Sequence, residues 1–173
     1  MKLSERAKAY ATDCHANTNH LYDAYPYSFH LAMVAETAVL FLDETYSEEE
    51  KELILAACWA HDTIEDTRQT YNDVKNALNE EVAELVYSLT NEKGKNRKER
   101  ANARYYEGIR NTEHAIFVKL CDRIANVTHS KRNKSRLFEL YQKENANFCA
   151  QLGEFEKYDK LYQHLENLFA EAE

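Results

Sequence analysis

The sequence is nearly without the residues that interrupt helices, with one proline and three glycines among 173 residues. That scarcity removes most turn and strand punctuation, so the chain reads as helical almost throughout. No apolar run approaches the roughly 20 residues of a membrane span. The first residues, Met1-Lys2-Leu3-Ser4-Glu5-Arg6, are polar and unlike a signal peptide, so the expected location is the cytoplasm. Cysteine is sparse: Cys14, Cys58, Cys121 and Cys149 show no CxxC spacing, which argues against a zinc ribbon or a dithiol redox site. Cys58 and Cys121 fall in apolar stretches and read as small core residues in a reducing compartment. Positive charge is also short, with 22 Lys and Arg against 30 Asp and Glu and a net charge of −8. This argues against nucleic acid or an anionic membrane as the main partner. A phosphorylated small molecule stays open, because a metal and a few local cations can reverse the field at one site.

The length fits one domain over residues 1–173, enough for a proper core. Apolar spacing predicts helices over 4–16, 30–43, 47–60, 79–89, 113–128, 135–152 and 154–170, with a short one beginning near Asp73. Ser47 with Glu50 three residues on forms a capping box, and Glu48 and Glu49 suit the positive helix end. Residues 91–104 are highly charged. Leu137, Leu140, Tyr141 and Phe148, then Tyr158, Leu161, Leu165, Leu168 and Phe169, read as packing faces. Most of the twelve tyrosines fall at such positions, as core and rim.

The chemistry concentrates in Ala60-His61-Asp62-Thr63-Ile64-Glu65-Asp66-Thr67. A helix through it sets His61 above Glu65 and Asp62 above Asp66. The preceding residues, Leu53 to Trp59, are almost wholly apolar, so one histidine and three carboxylates here are costly unless a cation compensates them. The plain alternative is a helix end with a solvated acidic turn. Two further segments carry isolated polar groups: His30 opens the apolar stretch Leu31-Ala32-Met33-Val34-Ala35, and Asp122 lies among Leu120, Cys121 and Ile124. Taken alone, His30 reads first as a helix-start histidine bonded to backbone. Together His30, His61, Asp62 and Asp122 make a set of two imidazoles and two carboxylates. Such donors suit Mn²⁺, Fe²⁺ or Zn²⁺ better than Ca²⁺, without choosing among them.

This H…HD…D pattern resembles the HD superfamily of metal-dependent phosphohydrolases. With the Glu65-Asp66-Thr67 extension, Leu89-Thr90-Asn91-Glu92-Lys93 and Lys119-Leu120-Cys121-Asp122-Arg123-Ile124-Ala125-Asn126, it is similar to the hydrolase domain of RelA/SpoT-type proteins, including stand-alone small alarmone hydrolases. The resemblance covers roughly residues 5–150, with a C-terminal packing helix after it. It implies an all-α, single-domain helical fold and one divalent ion, Mn²⁺ before Fe²⁺ or Zn²⁺, held by His30, His61, Asp62 and Asp122. It further implies that Glu65 and Asp66 serve the attacking water and that Asn126 contacts the nucleotide. The implied activity is (p)ppGpp 3′-pyrophosphate hydrolysis. The alternatives are another nucleotide phosphatase or pyrophosphatase of the superfamily, or an HD module that binds a nucleotide without turnover. Glu65 and Asp66 argue against the last.

One departure bears on substrate. The family usually carries a basic pair and a Gly-containing turn before the first metal histidine. Here the segment is His20-Leu21-Tyr22-Asp23-Ala24-Tyr25-Pro26-Tyr27-Ser28-Phe29-His30, with no Arg, Lys or Gly. Tyr22, Tyr25 or Tyr27 is then a candidate to stack on a base. Lys93, Lys95, Arg97, Lys98, Arg100 and Arg104 read first as a solvated face and second as a phosphate-binding loop. Lys131, Arg132, Lys134 and Arg136 pose the same choice. His114 and His129 read as surface or supporting groups, without the spacing for a second metal.

Overall fold

The computed structural model describes residues 1–170. Helix α1 (Leu3–Asn17) leads into a two-stranded antiparallel hairpin, β1 (Leu21–Tyr22) and β2 (Tyr25–Pro26), in which Leu21 pairs with Pro26 and Tyr22 with Tyr25. Then come α2 (Ser28–Phe41), α3 (Glu48–Ala60), α4 (Thr63–Asp66), α5 (Tyr71–Ala77) and α6 (Glu80–Leu89). The chain continues through α7 (Arg97–Arg100), α8 (Ala103–Asn111), α9 (Ala115–Arg132), α10 (Arg136–Leu152) and α11 (Asp159–Ala170). The expected all-α class is what is found. No helix among the described residues is long and apolar enough to cross a membrane.

Local chemistry sets the helix starts. Ser47 Oγ accepts from Glu50 N at 3.2 Å, and Ser47 N donates to Glu50 Oε2 at 2.7 Å. This reciprocal box satisfies two end donors, and such caps are worth about 1 kcal/mol. Thr70 with Asp73 repeats the motif at α5, and Asn79 caps α6.

Helix α9 is the central element, packed against α2, α3, α10 and α11. Phe117, Leu120 and Ile124 of α9 are fully enclosed with Phe148 and Leu152 of α10 and Leu165 of α11. Truncating a ring such as Phe148 to Ala should cost about 3–5 kcal/mol. All four cysteines are free and buried, and burial holds the Cys121 thiol well above its usual pKa, as a core residue requires.

The structure departs from the sequence expectation in three places. The stretch 61–66 is not one helix: α3 stops at Ala60, and Asp62 (φ −97°, ψ 2°) breaks the spiral before α4. The last helix begins at Asp159 and not at 154, because Gly153 (φ 69°) and Glu154 (φ 49°) both take left-handed backbone. Helix α8 grows out of the end of the charged segment, capped by Asn102 and anchored by buried Tyr105, Tyr106 and Ile109.

Candidate metal centre

Three elements bring the sequence-selected donors to one point. His30 stands in the first turn of α2, His61 and Asp62 in the break between α3 and α4, and Asp122 midway along α9. His30, His61 and Asp122 are each at most 7% exposed. The His30 Nε2 lies 3.2 Å from Asp122 Oδ1 and 3.7 Å from Asp62 Oδ2. The His61 Nε2 lies 2.9 Å from Asp62 Oδ2 and 3.7 Å from Asp122 Oδ1. Donors about 2.1 Å from one transition-metal ion stand roughly 3 to 3.5 Å apart, the scale seen here. The helix break explains how neighbours His61 and Asp62 reach the same point, which a continuous helix face would not allow.

The His61 imidazole is set for ligation. The carbonyl oxygen of Cys58 can only accept, so His61 Nδ1 donates to it at 2.9 Å. In the neutral ring the lone pair is then on His61 Nε2, which is buried and makes no hydrogen bond. A buried polar atom without a partner, facing two carboxylates, is what a metal site lacks only the metal to satisfy. The electrostatics agree. Burial alone would lower the His61 pKa, yet Asp62 and Asp122 outweigh it and raise it well above the ordinary imidazole value. Burial likewise opposes ionisation of Asp122, but Lys119, His30 and His61 hold its pKa well below the usual range. The donor set is therefore one that binds positive charge, and a divalent cation fits it.

Supporting side chains fix the carboxylates. Tyr27 donates its hydroxyl hydrogen to Asp62 Oδ2 at 2.5 Å, and its ring stacks against those of His20 and His15, at 3.9 and 4.4 Å. Tyr27 is buried. Lys119 donates to Asp122 Oδ2 at 2.9 Å, and Asn126 Nδ2 to Asp122 Oδ1 at 2.7 Å. Asn126 Oδ1 in turn accepts from the Tyr22 hydroxyl at 2.8 Å, while the Tyr22 ring stacks on His30 at 4.7 Å. Asn126 therefore orients a candidate ligand as well as lining the adjoining cleft. The supporting roles of Tyr27, Lys119 and Tyr22 escaped sequence reasoning, which offered the two tyrosines only as candidates to stack on a base. Only the i, i+3 spacing of Lys119 and Asp122 signalled any of them.

A cleft of about 640 Å³ opens beside Asp122. Glu65 lies on its wall, with Asn91 donating from its backbone N to Oε2 at 3.0 Å and from Nδ2 to Oε1 at 2.7 Å. Asp66 has its pKa pushed up to about 7, by burial first and then by the charges of Asp62 and Glu65. The basic run is divided. Arg97, Lys98 and Arg100 line this cleft, joined by Arg123 from α9. Arg97 pairs with Glu144 through two bonds of 3.1 and 3.0 Å, and Arg123 reaches the same carboxylate at 3.3 Å. Of the second cluster, Lys131 donates to the Leu168 carbonyl, a helix-tying role. His114 and His129 are not surface groups. His129 is 8% exposed and bonded to Asp23, and His114 is 7% exposed beside Glu50 and Glu113. Sequence spacing hid this second cluster because Glu50 lies far from the other two along the chain.

The family model for the HD domain matches residues 7–154. The Xenopus tropicalis protein named guanosine-3′,5′-bis(diphosphate) 3′-pyrophosphohydrolase MESH1 is 29% identical over 79 residues, 46% of this chain and 44% of that protein. The Drosophila melanogaster protein of the same name is 28% identical over 74 residues, 43% of this chain and 41% of that protein. The matched region thus spans less than half the length of these curated relatives. A solved structure described as a metazoan ortholog of SpoT that hydrolyzes ppGpp superimposes with a TM-score of 0.75 at 20% identity. It covers 97% of this chain and 94% of that one.

Proposed function

The chain belongs to the HD domain family, and from that membership and the geometry above we propose that it is a metal-dependent phosphohydrolase of phosphorylated nucleotides. Within that class ppGpp, cleaved at its 3′-pyrophosphate, ranks first, supported by the names of the similar proteins. The observation that carries the reading is the convergence of His30, His61, Asp62 and Asp122, with the buried His61 Nε2 unpartnered, beside a cleft that Asp122 lines together with basic side chains. His30, His61, Asp62 and Asp122 would hold one divalent ion, Mn²⁺ in the first instance, which when bound acidifies a coordinated water and polarises a phosphoryl oxygen.

The chain's own residues do the rest. Asp66, which follows Asp62 by one turn and sits among the carboxylates of Asp62 and Glu65, would take the proton of the attacking water. Glu65, its two oxygens fixed by Asn91, is held to orient that water. Lys98, Arg100 and Arg123 face the cleft, where they bind and orient the phosphates. The water oxygen forms the new bond to phosphorus, and the bond from phosphorus to the ribose 3′-oxygen breaks. A cytoplasmic location accords with four reduced, buried cysteines.

One observation favours a second reading, a different nucleotide. The hairpin before His30 presents Tyr25 at 49% exposure, stacked on Phe29 at 4.6 Å, where a basic pair would otherwise stand. A panel of nucleotides including ppGpp, incubated with the protein and Mn²⁺ and resolved by chromatography, tests both. Pyrophosphate release from ppGpp supports the first reading and turnover of another nucleotide the second. No turnover across the panel, with metal bound, would remove the enzyme assignment.

A further inference from the structure

A second donor cluster lies on the far side of α3 from its C-terminal break. Glu50 from the first turn of α3, and Glu113 and His114 from the loop entering α9, bring one ligand atom each to within 4.8 Å of one another. Acidic groups at helix starts are common without a cation, because the helix dipole favours them. That accounts for part of Glu50, whose Oε2 is used in the Ser47 capping box. It does not account for His114. The His114 side chain is 8% exposed, and its ring makes no hydrogen bond among the described residues. Its Nε2 points at Glu50 Oε1 from 3.7 Å, too far for a hydrogen bond and close enough for a shared ligand. Glu113 makes no ion pair among the described residues. An imidazole this deeply buried, facing two carboxylates and with no hydrogen bond among the described residues, is a group that a shared cation would satisfy.

We propose that Glu50, Glu113 and His114 form a second divalent-metal site, selective for a borderline cation such as Zn²⁺. One nitrogen and two carboxylate donors favour Zn²⁺ over Ca²⁺ or Mg²⁺, which take oxygen ligands. A groove of about 590 Å³, also lined by Glu48, Glu49 and Glu81, adjoins the cluster and gives the ion and its remaining waters access. The site is structural. It ties the first turn of α3 to the start of α9, the helix that carries Asp122, and it stands independently of the function proposed above.

The test counts Zn²⁺ on the full chain by equilibrium dialysis and elemental analysis. Glu50→Gln is the informative variant, since glutamine retains the capping box and removes the carboxylate. His114→Asn is the second, because asparagine tolerates the left-handed backbone at this position (φ 64°). In a His61→Ala background, which disables the first centre, one Zn²⁺ per chain should remain. Either variant added to that background should lose it. The melting temperature of the His61→Ala protein should rise with Zn²⁺, and that of His61→Ala with Glu50→Gln should not. Equal Zn²⁺ content with and without Glu50→Gln overturns the proposal, as does a His61→Ala protein that binds no Zn²⁺. Failure of the first centre would appear separately, as His61→Ala leaving the wild-type count unchanged.

Discussion

The Nδ1 hydrogen of His61 is held by the carbonyl oxygen of Cys58, three residues back in the last turn of α3. That bond turns Nε2 toward Asp62 and Asp122 and ties ligand geometry to the helix end itself. Removing His61 or Asp122 should therefore abolish the first centre. Elemental analysis of His61→Ala and Asp122→Ala should each show one metal equivalent fewer than wild type. Tyr27→Phe, which deletes only the bond to Asp62, should weaken Mn²⁺ affinity by about 10- to 100-fold in a chelator competition. Unaltered affinity would show that Asp62 needs no such support.

Glu65→Gln and Asp66→Asn separate ligation from catalysis. Both should keep the Mn²⁺ equivalent while kcat falls by about 10²- to 10⁴-fold on the nucleotide identified by the panel. Loss of metal in either variant would move that residue into the ligand set. An unchanged kcat in both would leave the attacking water without the proposed partners.

The Asp66 pKa gives a pH signature in the metal-free protein. Its folded value of about 7 exceeds the ordinary 3.8, so between these limits the folded state holds a proton that the unfolded state has lost. The stabilising contribution is complete below the unfolded value and is lost as pH rises through the folded one. Wild type should lose stability relative to Asp66→Asn as pH rises from about 4 to 7, as read by chemical denaturation of both proteins. A bound cation opposes this shift, so Mn²⁺ should flatten the difference. A gap between the two proteins that is constant with pH would place Asp66 in an ordinary solvated setting.

Arg97, Lys98 and Arg100 are exposed members of the basic run that line the cleft, and Arg97 is paired with Glu144, which leaves Lys98 and Arg100 to test. Replacing both with glutamine should raise KM for a polyphosphate nucleotide well above any change for a monophosphate. A charge-assisted bond in such a partly solvated site is worth about 1 kcal/mol or more, roughly fivefold each. Equal KM values in the variant and wild type would return these residues to a solvated face. Lys95, outside the cleft lining, serves as the control.

The helical class was legible because two independent signals agreed, the shortage of Pro and Gly and the apolar spacing of stretches such as Val82, Leu85, Val86 and Leu89. The convergence of His30, His61, Asp62 and Asp122 was legible because each interrupts an apolar stretch, where an isolated polar side chain demands a reason. The break at Asp62 was not, since aspartate in a single non-helical φ, ψ leaves no trace in periodicity. Nor were the roles of Tyr27 and Tyr22, which read as candidates to stack on a base until their hydroxyls are seen to meet Asp62 and Asn126. Helix α8 was hidden because its polar face surrounds Tyr105, Tyr106 and Ile109 with charge. The buried state of His114 depends on Glu50 and Tyr46, which only the folded chain brings near.

His30 and Asp122, separated by most of the chain in sequence, meet at one point. An ion held between them is in topological terms a reversible cross-link that closes a long loop, and the unfolded chain has no comparable site for it. Binding to the folded state alone adds about 2.7 kcal/mol when free metal stands at a hundred times its Kd. Depletion of the ion would then do more than stop turnover. It would raise the unfolded fraction exposed to proteases, so that the abundance of this protein in a cell would follow the supply of its metal.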